Sequence, residues 1–256
     1  MSSALSVELE LRMAGGGERL TAGRAFQVSA AEGYERWAPT YDDAPNPLLA
    51  REERYLLPLL TELGDRSVID VACGTGRWLE KLTGRGCTRG VGIDRSGAML
   101  RAAGRKSAIS GRLGKADCES LPFSSAAFDL AICSFALGHI VDLGSVAREL
   151  ARVTKTGADV FVSDLHPDAY ARGWRVGFRD GSTTVQIEMR SRSVKEIVQT
   201  FCANGFECRT DVSLRLGEPE RPLFVQAGKS DSFADACQLP AVLVCRFRRR
   251  QAEARL

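Results

Sequence analysis

At 256 residues, 44% hydrophobic and 26% charged, the chain has the balance of an ordinary globular protein and the length for one α/β domain with appendages, which excludes disordered and fibrous classes. A formal net charge of +3 is too weak to specify a polyanionic partner, and the cluster Arg246-Phe-Arg-Arg-Arg250 reads as a solvated end. Acidic Glu8 and Glu10 interrupt the apolar residues near the start, and the longest nearly apolar stretch, 130–141, falls well short of the ~20 residues of a membrane-spanning helix, so a cytoplasmic protein without a membrane span is expected.

Residues 1–33 form an N-terminal arm: the alternating run Val7-Glu-Leu-Glu-Leu-Arg-Met13 reads as a short exposed strand, and Gly15-Gly-Gly17 as a flexible link. Over 34–65, apolar and aromatic residues at helical spacing are broken by Pro39, Pro45, Pro47 and Pro58, which predicts short helices. From residue 66 onward, brief apolar runs alternate with helical stretches. Strands are expected at 68–72, 90–94, 112–116 (the weakest), 128–134 and 159–165, with helices at 77–82, 96–106 and 144–153. After His166 the pattern predicts a strand at 184–189, a helix at 194–204 ended by Gly205, and strands at 207–216 and 241–247, giving the sheet an antiparallel edge. The fold class is α/β. Eight scattered cysteines with no Cys-x-x-Cys pair read as reduced, buried thiols, and no metal site is expected.

The chemistry concentrates in Val68-Ile-Asp-Val-Ala-Cys-Gly-Thr-Gly-Arg-Trp78, a buried strand running through a Gly-x-Gly turn into a helix. Gly74 and Gly76 remove side chains where the backbone must approach a ligand at the carboxyl edge of the strand. Asp94 ends the next strand 20 residues after Gly74, where a carboxylate can accept from both hydroxyls of a ribose. A dinucleotide site wants Gly or Ala three positions after the second glycine, and that position is Leu79. No Gly-x-x-x-x-Gly-Lys-[Ser/Thr] loop exists either, so an adenosine ligand without phosphates fits better.

Asp70-Val-Ala-Cys-Gly-Thr-Gly76 resembles motif I of class I S-adenosylmethionine (SAM)-dependent methyltransferases, in the variant of the ubiquinone/menaquinone-type branch, with Ala72 in place of the commoner first glycine. Gly92-Ile-Asp94, Ala116-Asp-Cys-Glu-Ser-Leu-Pro-Phe123 and Phe128-Asp-Leu-Ala-Ile-Cys-Ser-Phe-Ala-Leu-Gly-His139 match that family in order, over roughly residues 34–166. The resemblance implies a Rossmann-like fold, a seven-stranded mostly parallel sheet with an antiparallel edge hairpin and helices on both faces, and SAM as cofactor. It places Asp70, Ala72 and the Gly74–Gly76 backbone at the methionine end, Asp94 with Arg95 at the ribose, Asp117 and the Cys118 backbone at the adenine, and Ser134 and Phe135 near the transferable methyl group. Tyr34-Glu-Arg-Trp-Ala-Pro-Thr-Tyr41 resembles the family's lid, with Tyr34 and Tyr41 closing over the cofactor; the same aromatics also read as plain core residues.

The two histidines, His139 and His166, follow apolar strands at the ligand-binding edge and are candidate bases, or loop residues bonded to the backbone. Residues 166–235 are expected to build the acceptor pocket, with Trp174, Arg175 and Phe178 as lining candidates. The acceptor is a small molecule methylated at O, N or C, a quinone precursor and a carrier-bound acyl chain among the options. The alternatives are a SAM-binding protein without transferase activity, and an RNA methyltransferase or RNA-binding module using the arginine-rich end.

Overall fold

Val68, Ile69 and Val71 are completely buried, and a β-branched run with no polar face belongs in the middle of a parallel sheet covered on both sides. The computed structural model describes residues 26–43 and 45–251; the strand expected at 7–13 and the glycine link at 15–17 lie outside the described residues. In chain order the elements are β1 (Phe26–Val28), α1 (Ala30–Trp37), α2 (Pro47–Leu56), β2 (Ser67–Val71), α3 (Arg77–Gly84), β3 (Arg89–Asp94), α4 (Gly97–Ala103), β4 (Leu113–Lys115), β5 (Phe128–Ser134), α5 (Leu143–Val153) and β6 (Thr154–Leu165). They continue with α6 (Pro167–Ala171), β7 (Gly177–Asp180), β8 (Thr183–Ile187), α7 (Val194–Ala203), β9 (Phe206–Arg215), α8 (Arg221–Gln226), α9 (Phe233–Ala236) and β10 (Pro240–Arg249).

The main sheet has seven strands in the order β4-β3-β2-β5-β6-β10-β9. The first five are mutually parallel, and β10 runs antiparallel to both of its neighbours, which makes β9 and β10 the expected edge hairpin. Alternation along the strands divides two cores. Ile69, Ala131 and Leu243 pack with Val146 and Leu150 of α5 and Phe201 of α7, while Val68, Leu130 and Val242 pack with Leu56 of α2 and Trp78 and Leu82 of α3. Phe201 stacks on Phe247 with ring centroids 4.4 Å apart, and Gly205 ends α7 at a φ of +89°.

Three features depart from expectation. The strand expected at 184–189 is β8, and it belongs to a separate three-stranded sheet, β1-β8-β7, instead of the main sheet's edge. Its partner is β1, which pairs Phe26 with Val185 and Val28 with Ile187, so residues ahead of α1 supply the bonds that β8 would otherwise seek on the large sheet. Val28, Val185, Ile187 and Phe178 form a small core there with Trp37. Second, α1 begins at Ala30, so the helix runs through the boundary expected between arm and helical segment at 33/34. Third, the arginines at 246–250 are a seam along β10 and its end, not a solvated tail. Arg246 and Arg248 pair with Asp159 at 3.1 and 3.2 Å, Arg249 Nε donates to the Ala151 carbonyl at 2.8 Å, and Arg250 Nη2 donates to the Cys202 carbonyl.

All eight cysteines are free of disulfides. No helix among the described residues is long and apolar enough to cross a membrane.

Candidate functional site

A cleft opens at the carboxyl ends of β2, β3 and β5, beneath α1, and the turn after β2 forms its floor. Cys73 N–H donates to the Ile93 carbonyl at 2.9 Å and Gly76 N–H to the Cys73 carbonyl at 2.8 Å, so the turn is pinned to β3 and to itself. Ala72, Gly74 and Gly76 all have positive φ, +55°, +55° and +77°. For Ala72 this left-handed conformation costs about 1–2 kcal/mol, which explains why glycine is the commoner choice there.

The two glycines have different work. A Cβ on Gly74 would meet nothing within 4 Å, because that face of the turn borders the cleft. One on Gly76 would lie 2.3 Å from Ile109 Cδ1, inside a buried cluster with Leu79 and Ala103. Gly76 is therefore the one member of the expected ligand-binding turn that is not on the cleft wall.

Asp94 faces Gly74 across the cleft floor. Its Oδ2 accepts from Gly74 N–H at 2.8 Å and its Oδ1 from Ser96 N–H at 2.7 Å; burial pushes the carboxyl's pKa up, opposed by these two N–H donors. Asp70 lies deeper, 2% exposed, its Oδ2 accepting from Leu79 N–H at 3.2 Å, and burial pushes its pKa up to about 7 against the pull of Arg77. Arg95, Asp117 and Cys118 line the same cleft further along, and Ser134 and Phe135 line it beyond β5, with Phe135 at a φ of +51°.

Three side-chain clasps hold the segment 30–43 over this floor. Glu35 Oε1 accepts from Ser96 Oγ at 2.9 Å and Ala98 N–H at 3.1 Å, at the start of α4. Asp42 Oδ1 accepts from Thr75 Oγ1 at 2.6 Å, and its Oδ2 pairs with Lys106 at 2.8 Å. Tyr34 Oη meets His139 Nε2 at 2.9 Å, while His139 Nδ1 lies 3.0 Å from the Glu188 carbonyl. A carbonyl can only accept, so Nδ1 carries the imidazole proton and Nε2 accepts from the tyrosine hydroxyl. Burial lowers the pKa of His139 and raises that of Tyr34 well above its usual range; Tyr41 is likewise pushed up to about 12 by burial.

Tyr34, Tyr41, Asp70, Ala72, Gly74, Asp94, Arg95, Asp117, Cys118, Ser134, Phe135 and His139 thus meet around one cleft. His166 does not join them. Its Nδ1 accepts from Asp168 N–H at 3.1 Å as the N-cap of α6, and its Nε2 meets Ser213 Oγ at 2.9 Å. The lining candidates Trp174, Arg175 and Phe178 are also elsewhere: Trp174 is 1% exposed in the core, Arg175 lies over the Tyr170 ring, and Phe178 stacks on Trp37 at 5.3 Å.

Glu52 and Arg77 are absent from the sequence-based site. Glu52 is completely buried, its Oε1 accepting from Ser134 Oγ at 2.7 Å and from Ser163 Oγ, and its Oε2 from Arg77 Nη2 at 2.5 Å and Trp78 Nε1 at 3.2 Å. Its neighbours Arg51, Glu53 and Arg54 make it look like one charge of a solvated helix face. Only the invariably costly burial of a carboxylate, invisible in the sequence, marks it out.

Residues 69–162 match the family described as Methyltransferase domain. The 2-phytyl-1,4-naphtoquinone methyltransferase of Synechococcus elongatus is 33% identical over 153 residues, 54% of this chain and 64% of that protein. The malonyl-(acyl-carrier protein) O-methyltransferase of Hamiltonella defensa is 31% identical over 140 residues, 54% of this chain and 53% of that protein. The chain thus spans less than two thirds of the length of these relatives. A SAM-dependent methyltransferase from Mesorhizobium loti superposes with a TM-score of 0.63 at 19% identity, covering 80% of this chain and all of that one. Strand order, the cleft at the β2 turn and the superposition together show that the chain has the Rossmann-like fold of that structure, with residues 69–162 similar to the methyltransferase-domain family.

Proposed function

We propose that this chain transfers the methyl group of SAM to an oxygen, nitrogen or carbon atom of a small-molecule acceptor. The reading is carried by the joint between Gly74 and Asp94, an open backbone approach beside a half-buried carboxylate. The donor set fits the cofactor. Carboxylates at Asp94 and Asp117 suit hydroxyl and amino donors and a positively charged sulfur, and a cleft wall this acidic disfavours a pyrophosphate.

When bound, SAM supplies an electrophilic methyl group on a sulfonium sulfur. Asp94 and Arg95 would hold the ribose, Asp117 and the Cys118 backbone the adenine, and Asp70, Ala72 and Gly74 the methionine end, with Gly76 setting the turn. Ser134 and Phe135 would border the reacting methyl, and Tyr34 and Tyr41 would exclude water above it. The base we place at His139 Nε2, which takes the acceptor's proton once the Tyr34 hydroxyl yields it or relays the proton itself. Its neutral state and the Glu188 carbonyl on Nδ1 both favour that role, whereas His166 has both ring nitrogens engaged outside the cleft.

For the acceptor, the relatives named for a naphthoquinone and for a carrier-bound acyl group support a quinone precursor or a carrier-bound acyl chain. We place the protein in the cytoplasm, where eight free thiols stay reduced. Calorimetric titration with SAM, S-adenosylhomocysteine and NAD tests the cofactor: uptake of the first two and not the third is expected, and the reverse overturns the reading. Mass spectrometry of ligands copurifying with the protein tests the acceptor class.

A further inference from the structure

Arg77 is the first residue of α3, immediately after the Gly74-Thr75-Gly76 turn, and it stands on the cleft wall. Its Nη2 donates to Glu52 Oε2 at 2.5 Å and Ser134 Oγ at 2.9 Å. Its Nη1 donates to nothing. Among the described residues it is the only buried side-chain nitrogen or oxygen without a hydrogen-bond partner, and Glu53 Oε2 stands 3.9 Å away, beyond hydrogen-bonding range. A buried donor left unmade is expensive, so such an atom marks a place where a ligand is expected to complete the set.

The orphan cannot turn away to find an acceptor. Glu52 fixes the guanidinium, and Glu52 is itself held by Ser134, Ser163 and Trp78. The other charged groups on the wall give the orphan its meaning. Glu35, Asp70, Asp94, Asp117 and Glu119 are acidic, and the remaining cation, Arg95, is exposed. A ligand with both a positive centre and a carboxylate therefore finds one enclosed place for its negative end. That place adjoins the turn assigned above to the amino-acid end of the cofactor.

Building on the SAM reading, we propose that Arg77 Nη1 receives the α-carboxylate of the cofactor's methionine moiety, and that Glu52 is the positioning residue that aims the guanidinium. The fork of an arginine suits a carboxylate, and a charge-assisted bond in an enclosed site is among the stronger ones.

Calorimetric titration of the full chain with SAM and with decarboxylated SAM, which lacks only that carboxylate, tests the proposal. The unmodified protein is expected to bind SAM about 10- to 100-fold more tightly than the decarboxylated analogue. Arg77→Gln is expected to bring the two affinities within about twofold of each other, and Arg77→Lys to restore part of the preference. Glu52→Gln is expected to shrink the same ratio, a readout that a merely structural role would not move. Equal binding of the two ligands by the unmodified protein overturns the proposal, and that comparison needs no variant to fold. Equal loss of both ligands in Arg77→Gln overturns it too. Binding of neither ligand by the unmodified protein removes the cofactor reading itself, and the proposal with it.

Discussion

The backbone N–H of Gly74 donates to Asp94 Oδ2 across 2.8 Å, joining the ends of two neighbouring strands through the carboxylate that faces the cleft. Asp94 therefore has two duties, since it also accepts from Ser96 N–H at the start of α4. Asp94→Ala removes a charged acceptor from the expected ribose position and is expected to weaken SAM binding by about 2–3 kcal/mol, roughly 30- to 150-fold. Calorimetry reads this directly. Unchanged affinity in a variant that remains folded would take Asp94 out of the binding site.

The two glycines of the turn separate binding from stability. Gly76→Ala forces a Cβ against Ile109 at a φ of +77° and is expected to cost about 3 kcal/mol of folding stability. Gly74→Ala meets open space at a φ of +55°, so its stability cost is about 1–2 kcal/mol, but its methyl group intrudes on the cleft and SAM affinity is expected to fall at least tenfold. Denaturant unfolding and calorimetry on both variants check the contrast. A Gly76→Ala protein as stable as the parent would contradict the packing argument.

Asp70 gives the protein a pH dependence of known sign. Its folded pKa of about 7 lies above the ordinary 3.8, so between those values the folded state holds a proton that the unfolded state has lost. Its contribution to stability is complete below pH ~4, declines as pH rises from about 4 to 7, and is level above that, with a slope of at most about 1.4 kcal/mol per pH unit. Asp70→Asn, which keeps an acceptor for Leu79 N–H, is expected to flatten that decline. Denaturant titrations at pH 5 and pH 8 measure it, and an identical pH difference in the variant would show that Asp70 is not the source.

The Tyr34–His139 contact predicts a rate profile. Burial lowers the His139 pKa below its ordinary 6.5, so the neutral base persists through pH 7 and methyl transfer is expected to lose rate only on the acid side of that value. His139→Gln is expected to lower kcat by about 100-fold and to erase the acid limb, in line with the usual worth of a general base. Tyr34→Phe is expected to reduce kcat more than SAM affinity. An unaltered kcat in His139→Gln, measured once an acceptor is in hand, would assign proton removal elsewhere.

Much of the turn at the cleft floor was legible because its parts are contiguous. Strand, Gly-x-Gly turn and helix follow one another in a dozen residues, and Asp94 stands at a spacing set by one βαβ unit, so local rules suffice for Asp70, Gly74 and Asp94. The same rules treat Gly74 and Gly76 alike, since only Ile109, more than thirty residues on, shows which of them faces the cleft. They made both His139 and His166 candidate bases, because both follow apolar strands; the difference lies in Ser213 and Asp168 engaging one ring and Tyr34 and Glu188 the other.

By itself, then, the sequence determined the α/β class, the places of the main strands along the chain and the glycine turn with its carboxylate, all of which follow from hydrophobic period and short-range backbone geometry. Tertiary structure alone decided that β1 would claim β8, that the arginines of β10 would pair with Asp159, and that Glu52 would be buried against Arg77. Each depends on residues far apart in the chain satisfying one another's charges or backbone groups, and neither periodicity nor spacing encodes which distant partner will be present.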